Sequence, residues 1–262
     1  MNKNKAYQFI YGPVSSWRIG RSLGVDIISS RKKACTFNCL YCQLGRNRAL
    51  KPLKKIFVPV DKIIRELKSI PRTKINYLTF SGMGEPTLAS NLGQAINIVK
   101  TILGLPVAVL TNSSLMSRKD VCQELARADV VVAKLDAPNE RLFRTINRPA
   151  AAYFLDEILQ GIRRFRSEFS GKLALQMMFI EANKDVASEM AKIAERLSPD
   201  EVQLNTPLRP CAVKPLPAEN MSAIREAFSG FRKVLTVYEA PRVGVAPLNL
   251  EETRRRRPKE RR

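Results

Sequence analysis

Short apolar runs alternate with stretches of helical periodicity along most of the chain. Apolar runs of strand length occupy residues 23–28, 75–80, 107–110, 130–135, 173–180 and 201–204. Apolar residues at helical spacing predict helices near residues 61–70, 92–103, 153–169 and 185–197. A further helix is predicted after 107–110, where Ser117-x-x-Asp120 has the spacing of a capping box. The pattern therefore predicts six β/α units.

This alternation predicts the fold class. Parallel strands require long crossover connections, and helices of this length supply them. We therefore expect an α/β protein whose six parallel strands form either an open doubly wound sheet or a partial (β/α)6 barrel. In both architectures ligands bind at the carboxyl ends of the strands.

The chain divides into four predicted parts. Residues 1–22 form an N-terminal segment, and residues 23–217 form the core domain, which ends in a proline-rich stretch. Residues 218–252 are a C-terminal extension with a helix near 218–228 and an edge strand near 234–238. The tail 253–262 carries many like charges and is predicted to be disordered, either as a nucleic-acid-binding arm or as an uncommitted solvated end.

The charge balance bears on the partner. Forty-five Lys and Arg residues against 24 acidic ones give a net charge of +21, which is consistent with a polyanionic partner such as RNA or with a solubilising surface.

The sequence has no apolar run approaching the ~20 residues of a membrane helix and no signal peptide at its start. We therefore expect no membrane association and a cytoplasmic location.

The residue types present narrow the chemistry. The chain has no histidine, so Ser-His or Cys-His catalysis and histidine-ligated zinc are excluded. Three of the five cysteines fall within eight residues, which is a poor disulfide framework. In a reducing compartment these thiols are available to a metal.

The three clustered cysteines, Cys35, Cys39 and Cys42, have the spacing CxxxCxxC. Soft thiolates favour an iron-sulfur cluster or zinc. Structural zinc needs a fourth ligand, here Cys122 or Cys211, and neither lies in a paired metal-binding motif. Three thiolates on a four-iron cubane instead leave one iron open for a substrate or cofactor.

With Tyr41 directly before the third cysteine, this motif resembles the signature of the radical S-adenosylmethionine (SAM) superfamily. The wider likeness runs from Tyr11 to about Pro210 and resembles a little-characterised subgroup akin to the radical SAM proteins of wyosine formation in tRNA. The resemblance implies a partial (β/α)6 barrel in which a 4Fe-4S cluster reductively cleaves SAM. It also implies a reductant such as flavodoxin or ferredoxin.

The same resemblance implies residues that bind SAM. Gly84 and Glu85 match a Gly-Gly-Glu motif that holds the SAM amino group, whereas Met83 departs from its first glycine. Lys134 and Asp136, at the end of a strand, match positions that contact the ribose or carboxylate of SAM; the alternative is a salt bridge between strand end and loop.

Other polar residues follow the predicted strands. Asn112 and Ser113, after residues 107–110, are expected to face a ligand, or Ser113 or Ser114 caps a helix. Arg18 and Arg21 are candidates for binding an anionic group or for surface ion pairs. Further polar positions could line a cavity if their strand faces point inward, namely Gln176 with Met178 and Gln203 with Asn205.

Three functions follow. The first is a radical SAM enzyme of unassigned substrate and unassigned catalytic residue. The second, narrower one is an enzyme that modifies a tRNA base, although wyosine-forming relatives carry additional N-terminal cysteines and this chain has none before Cys35. The third is a non-catalytic iron-sulfur or zinc protein that binds nucleic acid. The oligomeric state stays open.

Overall fold

Eight strands form one curled, half-barrel sheet in the part of the chain that the structure, a computed structural model, describes, which is residues 7–46 and 53–260. The strands are adjacent in chain order. Their bounds are β1 Ile10–Ser16, β2 Gly20–Val25, β3 Tyr77–Phe80, β4 Val107–Thr111, β5 Val130–Lys134, β6 Lys172–Met178, β7 Glu201–Asn205 and β8 Val234–Thr236.

The helices lie mostly between successive strands, as a parallel sheet requires. Their bounds are α1 Val60–Leu67, α2 Leu92–Leu103, α3 Lys119–Leu125, α4 Glu140–Ile146, α5 Leu155–Glu168, α6 Ala187–Leu197, α7 Ala218–Glu226 and α8 Leu250–Arg256. Buried apolar residues from these helices and from one face of the sheet form the main core.

The two faces of the sheet differ because strand residues alternate between them. On β5, Val131 and Ala133 belong to the main core, whereas Val130 and Val132 join a small cluster on the opposite face. Lys134 follows the same alternation as Val130 and Val132. The concave face therefore carries little apolar packing and has room for polar side chains.

The predicted α/β fold is confirmed: β2 to β7 are six parallel strands in a half-barrel. The structure adds a strand at each edge. Strand β1 lies within the expected N-terminal segment and pairs with β2 in antiparallel orientation. Strand β8 pairs in parallel with β7, at the edge where an edge strand was expected. The sequence also missed α4, which has only seven residues.

The prediction of a disordered tail is wrong for residues 253–256, which lie in α8. Asn249 caps this helix by accepting a hydrogen bond from the Glu252 backbone N–H at 2.9 Å. Arg256 is fully buried and makes an ion pair with Asp26. The positive charge of Arg256 is thus compensated by Asp26 rather than by water. Residues 261–262 lie outside the described part.

None of the helices in the described ranges is long and apolar enough to span a membrane.

Candidate functional site

A cavity of about 270 Å³ opens at the carboxyl ends of the parallel strands. Cys35, Cys39 and Cys42 all line it, and the Gly82–Glu85 turn after β3 forms another part of its wall. The wall also contains charged and polar side chains and one methionine, namely Arg18, Lys33, Tyr41, Thr111, Asn112, Lys134, Gln176, Met178, Asn205, Arg209, Arg256 and Arg257. The structure thus places the cysteine motif where this architecture binds ligands.

The three clustered cysteines are the soft thiol donors of the cavity. Among the described residues, no group of three or more Cys, Asp or Glu side chains is arranged to hold one metal ion. The three cysteines nevertheless share one cavity wall, while Cys122 and Cys211 lie outside it. Three soft thiol donors around a common space are compatible with a sulfur-bridged iron cluster.

The thiols are in an apolar environment. Burial raises the pKa of Cys35 to about 12 and also raises that of Cys39. Removal from water disfavours the thiolate, so the unligated side chains stay protonated at neutral pH. Because ligation requires the thiolate, assembly of a cluster must release protons.

The loop that bears the cysteines is joined directly to the glycine-rich turn. The Ala34 backbone N–H donates to the Met83 carbonyl at 3.1 Å, and the Glu85 N–H donates to the Ala34 carbonyl at 2.9 Å. A Cβ placed on Gly84 would lie 1.8 Å from the Ala34 oxygen. Gly84 is therefore needed for the close approach of two backbones beside Cys35.

Glu85 is 2% exposed and holds the ends of two strands together. Its Oε1 accepts hydrogen bonds from the Thr87 N–H and hydroxyl and from the Thr111 hydroxyl, and its Oε2 accepts from the Asn112 N–H at 2.6 Å. These four donors use the acceptor capacity of a carboxylate. Its expected role in binding the SAM amino group stays a prediction, and in this arrangement the carboxylate connects β3 to β4.

Asn112 connects β4 to the cysteine loop. Its Nδ2 donates to the Thr36 hydroxyl at 2.8 Å and approaches Cys35 Sγ at 3.4 Å. Ser113 is fully buried outside the cavity wall and donates to the Lys134 carbonyl at 3.0 Å. Asn112 therefore lines the cavity, and its contact with a ligand stays a prediction, whereas Ser113 ties β4 to β5.

The helix-capping alternatives are wrong. Helix α3 begins at Lys119, several residues beyond Ser113 and Ser114. Its N-cap is Arg118, which makes no side-chain capping hydrogen bond, so the Ser117-x-x-Asp120 pattern does not form a capping box.

Behind the cysteines, Tyr41 and Asp136 form a buried polar network. The Tyr41 hydroxyl donates to Asp136 Oδ2, and Asn147 Nδ2 donates to the same oxygen at 2.7 Å and approaches Cys39 Sγ at 3.5 Å. Oδ1 of Asp136 accepts the Met178 N–H at 2.8 Å. Burial and the adjacent carboxylate raise the pKa of Tyr41 well above its usual value, so it remains a donor.

Lys134 and Asp136 have different surroundings despite their expected common face. Lys134 lines the cavity and places its Nζ 4.3 Å from the centre of the Tyr41 ring. Asp136 lies outside that wall, with its Oδ1 3.7 Å from Lys134 Nζ. The salt bridge considered as the alternative is thus present, and Lys134 alone of the two faces the cavity.

Some of the other polar candidates line the cavity and some do not. Arg18, Gln176 and Asn205 lie in the cavity wall, and Met178 lies there beside them. Arg21, which is half-buried, and Gln203, which donates to Glu201 Oε1 at 2.7 Å, do not. The inward face of β6 is therefore the one that carries Gln176 and Met178.

Sequence reasoning missed several residues of the site. Asn147 had no signal, because it follows a short helix that was not predicted. Arg209 lies in the predicted proline-rich stretch, and Arg257 lies in the tail predicted to be disordered. The spacing Asn249-x-x-Glu252 could have revealed α8, and with it the approach of Arg256 and Arg257 to the cavity.

Comparison with protein families matches residues 30–195 to the Radical SAM superfamily. The UPF0026 protein of Synechocystis sp. is 41% identical over 217 residues, which is 82% of this chain and 80% of the relative. A probable dual-specificity RNA methyltransferase RlmN of Synechococcus sp. is 24% identical over 221 residues, and the match spans 80% of this chain but only 61% of that protein.

Among solved structures, native anSMEcpe with bound AdoMet superposes with a TM-score of 0.62 at 13% identity. The match covers 83% of this chain and 64% of that one. At this identity the likeness concerns the fold, and it agrees with the half-barrel described above.

Proposed function

Because this chain belongs to the radical SAM superfamily, we propose that Cys35, Cys39 and Cys42 hold a 4Fe-4S cluster at which SAM is cleaved reductively. A 4Fe-4S cluster and SAM are the cofactors of this superfamily, as expected from the sequence. The observation that carries the proposal is that all three cysteines line one cavity at the carboxyl ends of the strands.

When bound, the cluster and SAM supply one-electron cleavage to methionine and a 5'-deoxyadenosyl radical that abstracts hydrogen from a substrate. The residues of the chain position and shield these groups. Asn112 and Asn147 place amide N–H groups near Cys35 and Cys39, where hydrogen bonds to sulfur tune a cluster. The ammonium group of Lys134 would pair with the SAM carboxylate or donate hydrogen bonds to the ribose hydroxyls.

The test is the variant Cys39→Ala in anaerobically reconstituted protein. We expect it to lose the SAM-dependent change in the electron paramagnetic resonance spectrum and to form no 5'-deoxyadenosine. Cys211→Ala is the matched control, because Cys211 lies outside the cavity and should leave both measurements unchanged. Full activity of Cys39→Ala contradicts the assignment.

Metal analysis of the same samples tests the non-catalytic alternative. One zinc per chain, with no iron and no acid-labile sulfide, would favour a structural zinc protein. Loss of that zinc in Cys122→Ala or Cys211→Ala would then identify the fourth ligand.

For the substrate, we propose an RNA, with a tRNA base as the reacting group. The net charge of +21 supports this class, as does the likeness to a protein named as an RNA methyltransferase. Retention of tRNA at low salt should fall steeply as salt rises, because binding releases counterions from phosphates. Absence of binding at low salt contradicts the proposal.

An acidic electron carrier such as flavodoxin or ferredoxin is the proposed reductant, since the same positive charge favours its association. Reduction of the cluster by such a carrier, slowed by added salt, is the expected result.

A further inference from the structure

Three arginines from distant parts of the chain meet in the wall of the cofactor cavity. Arg18 comes from the turn between β1 and β2, Arg209 from the segment after β7, and Arg257 from the residues after α8. All three are half-buried. The fold therefore brings three guanidinium groups to the cavity that the cysteines line.

The carboxylates that act on Arg18, those of Glu201 and Glu260, also pair with other cations. Glu260 Oε1 accepts from Arg209 Nη2 at 3.2 Å, but the same carboxylate also pairs with Arg242. In the amide orientation that satisfies its neighbours, Gln176 places its neutral side-chain oxygen so that it accepts hydrogen bonds from Arg18 Nε and Nη2. No side chain among residues 7–46 and 53–260 accepts a hydrogen bond from the Arg257 guanidinium. The cluster thus carries an excess of positive charge.

The close approach of these guanidinium groups is electrostatically unfavourable. Burial, together with the neighbouring Arg257 and Arg209, holds the pKa of Arg18 well below its usual value. Burial and Arg257 lower that of Arg209 to about 9. Partly desolvated like charges without enough counter-charge cost free energy, and a bound anion offsets that cost.

We propose that Arg18, Arg209 and Arg257 bind a phosphate group of the substrate. The proposal rests on the proposed function, because it assigns a substrate class to the same cavity. Guanidinium groups pair bidentately with phosphate, and a group with several charged oxygens can engage three arginines together. A single carboxylate offers fewer oxygens and less charge than a phosphomonoester or two neighbouring phosphodiesters present.

The phosphate could belong to an RNA or to a free nucleotide. Both present phosphate oxygens to the arginines, a 5'-mononucleotide as one dianionic monoester and an RNA as successive monoanionic diesters. Three probes separate them, namely inorganic phosphate, a 5'-mononucleotide and a short single-stranded oligonucleotide. Tighter binding of the oligonucleotide than of the mononucleotide assigns the site to RNA, and the reverse order assigns it to a free nucleotide.

The decisive variant is Arg257→Gln in anaerobically reconstituted protein, with calorimetric titration of inorganic phosphate. Because charged hydrogen bonds are lost, we expect binding to weaken roughly 10- to 100-fold. Arg18→Gln should weaken it similarly. Arg65→Gln is the matched control, since Arg65 is 72% exposed on α1, and it should bind as the wild type does.

Three results overturn the inference. The first is phosphate binding by both cavity variants with wild-type affinity, and the second is no phosphate binding by the wild type. The third is displacement of phosphate by saturating SAM, which would assign the arginines to the carboxylate of SAM.

Iron content and 5'-deoxyadenosine formation are measured on the same wild-type sample. Phosphate binding without iron or 5'-deoxyadenosine would refute the proposed function and still uphold the binding of phosphate by the three arginines. Iron and 5'-deoxyadenosine formation without phosphate binding would refute this inference and leave the proposed function standing.

Discussion

The Arg256 guanidinium donates from Nε to Asp26 Oδ2 at 2.7 Å across 230 positions of sequence. Both side chains are buried, with exposures of 0% and 1%. Oδ1 of Asp26 accepts the backbone N–H groups of Ser29 at 2.8 Å and Met83 at 3.2 Å. One carboxylate thus connects the C-terminal helix to the end of β2 and to the glycine-rich turn of the cofactor cavity.

We expect Arg256→Gln to lower the free energy of unfolding by about 3 kcal/mol, because it leaves Asp26 charged and buried without its cation. Urea unfolding followed by circular dichroism measures the change. Arg255→Gln, at a position 40% exposed, should change stability by no more than about 0.5 kcal/mol. Equal stability of the two variants would show that the buried pair does not hold the helix in place.

The sequence predicted the order and type of the main elements because their patterns are local. Helix α2 has the predicted bounds, and β4 and β5 differ from prediction by one residue at one end. Strand β2 ends three residues before the prediction, since Asp26 leaves the sheet to bind Ser29 and Met83. Periodicity reports burial, and it carries no information about such long-range hydrogen bonds.

The candidate site was also predictable in part, because some of its residues belong to local sequence patterns. The cysteine spacing, Asn112 after one strand and Lys134 at the end of the next were visible in the sequence, and all line the cavity. The burial of Arg256 was not, because a run of arginines looks solvated until Asp26 is brought to it by the fold.

We predict that Gly84→Ala disrupts the cysteine loop. The added methyl group would overlap the Ala34 carbonyl, so the two paired backbones must separate next to Cys35. Iron bound per chain after anaerobic reconstitution should fall several-fold. Gly230→Ala is the control, since a Cβ there meets no atom within 4 Å, and it should bind iron as the wild type does. Undiminished iron in Gly84→Ala would exclude this role.

We predict that Tyr41→Phe destabilises the protein by about 1–3 kcal/mol, because the buried Asp136 loses a donor. The free energy of unfolding of the cluster-free protein is the measurement, so that cofactor binding does not contribute. Tyr153→Phe is the matched control: in the described part of the chain the Tyr153 hydroxyl makes no hydrogen bond, and the substitution should change little. A Tyr41→Phe variant as stable as this control would argue against the network.

We predict that Lys134→Gln weakens SAM binding roughly 10- to 100-fold, because the ammonium group that faces the cavity is lost while the length of the side chain is nearly kept. Equilibrium binding of SAM to reconstituted protein is measured, with iron content determined on each sample so that loss of the cluster is recognised. Lys62→Gln, an exposed change on α1, should leave the SAM affinity at the wild-type value. If Lys134→Gln binds SAM as tightly as that control, Lys134 serves Asp136 and the Tyr41 ring alone, and its proposed contact with the cofactor is wrong.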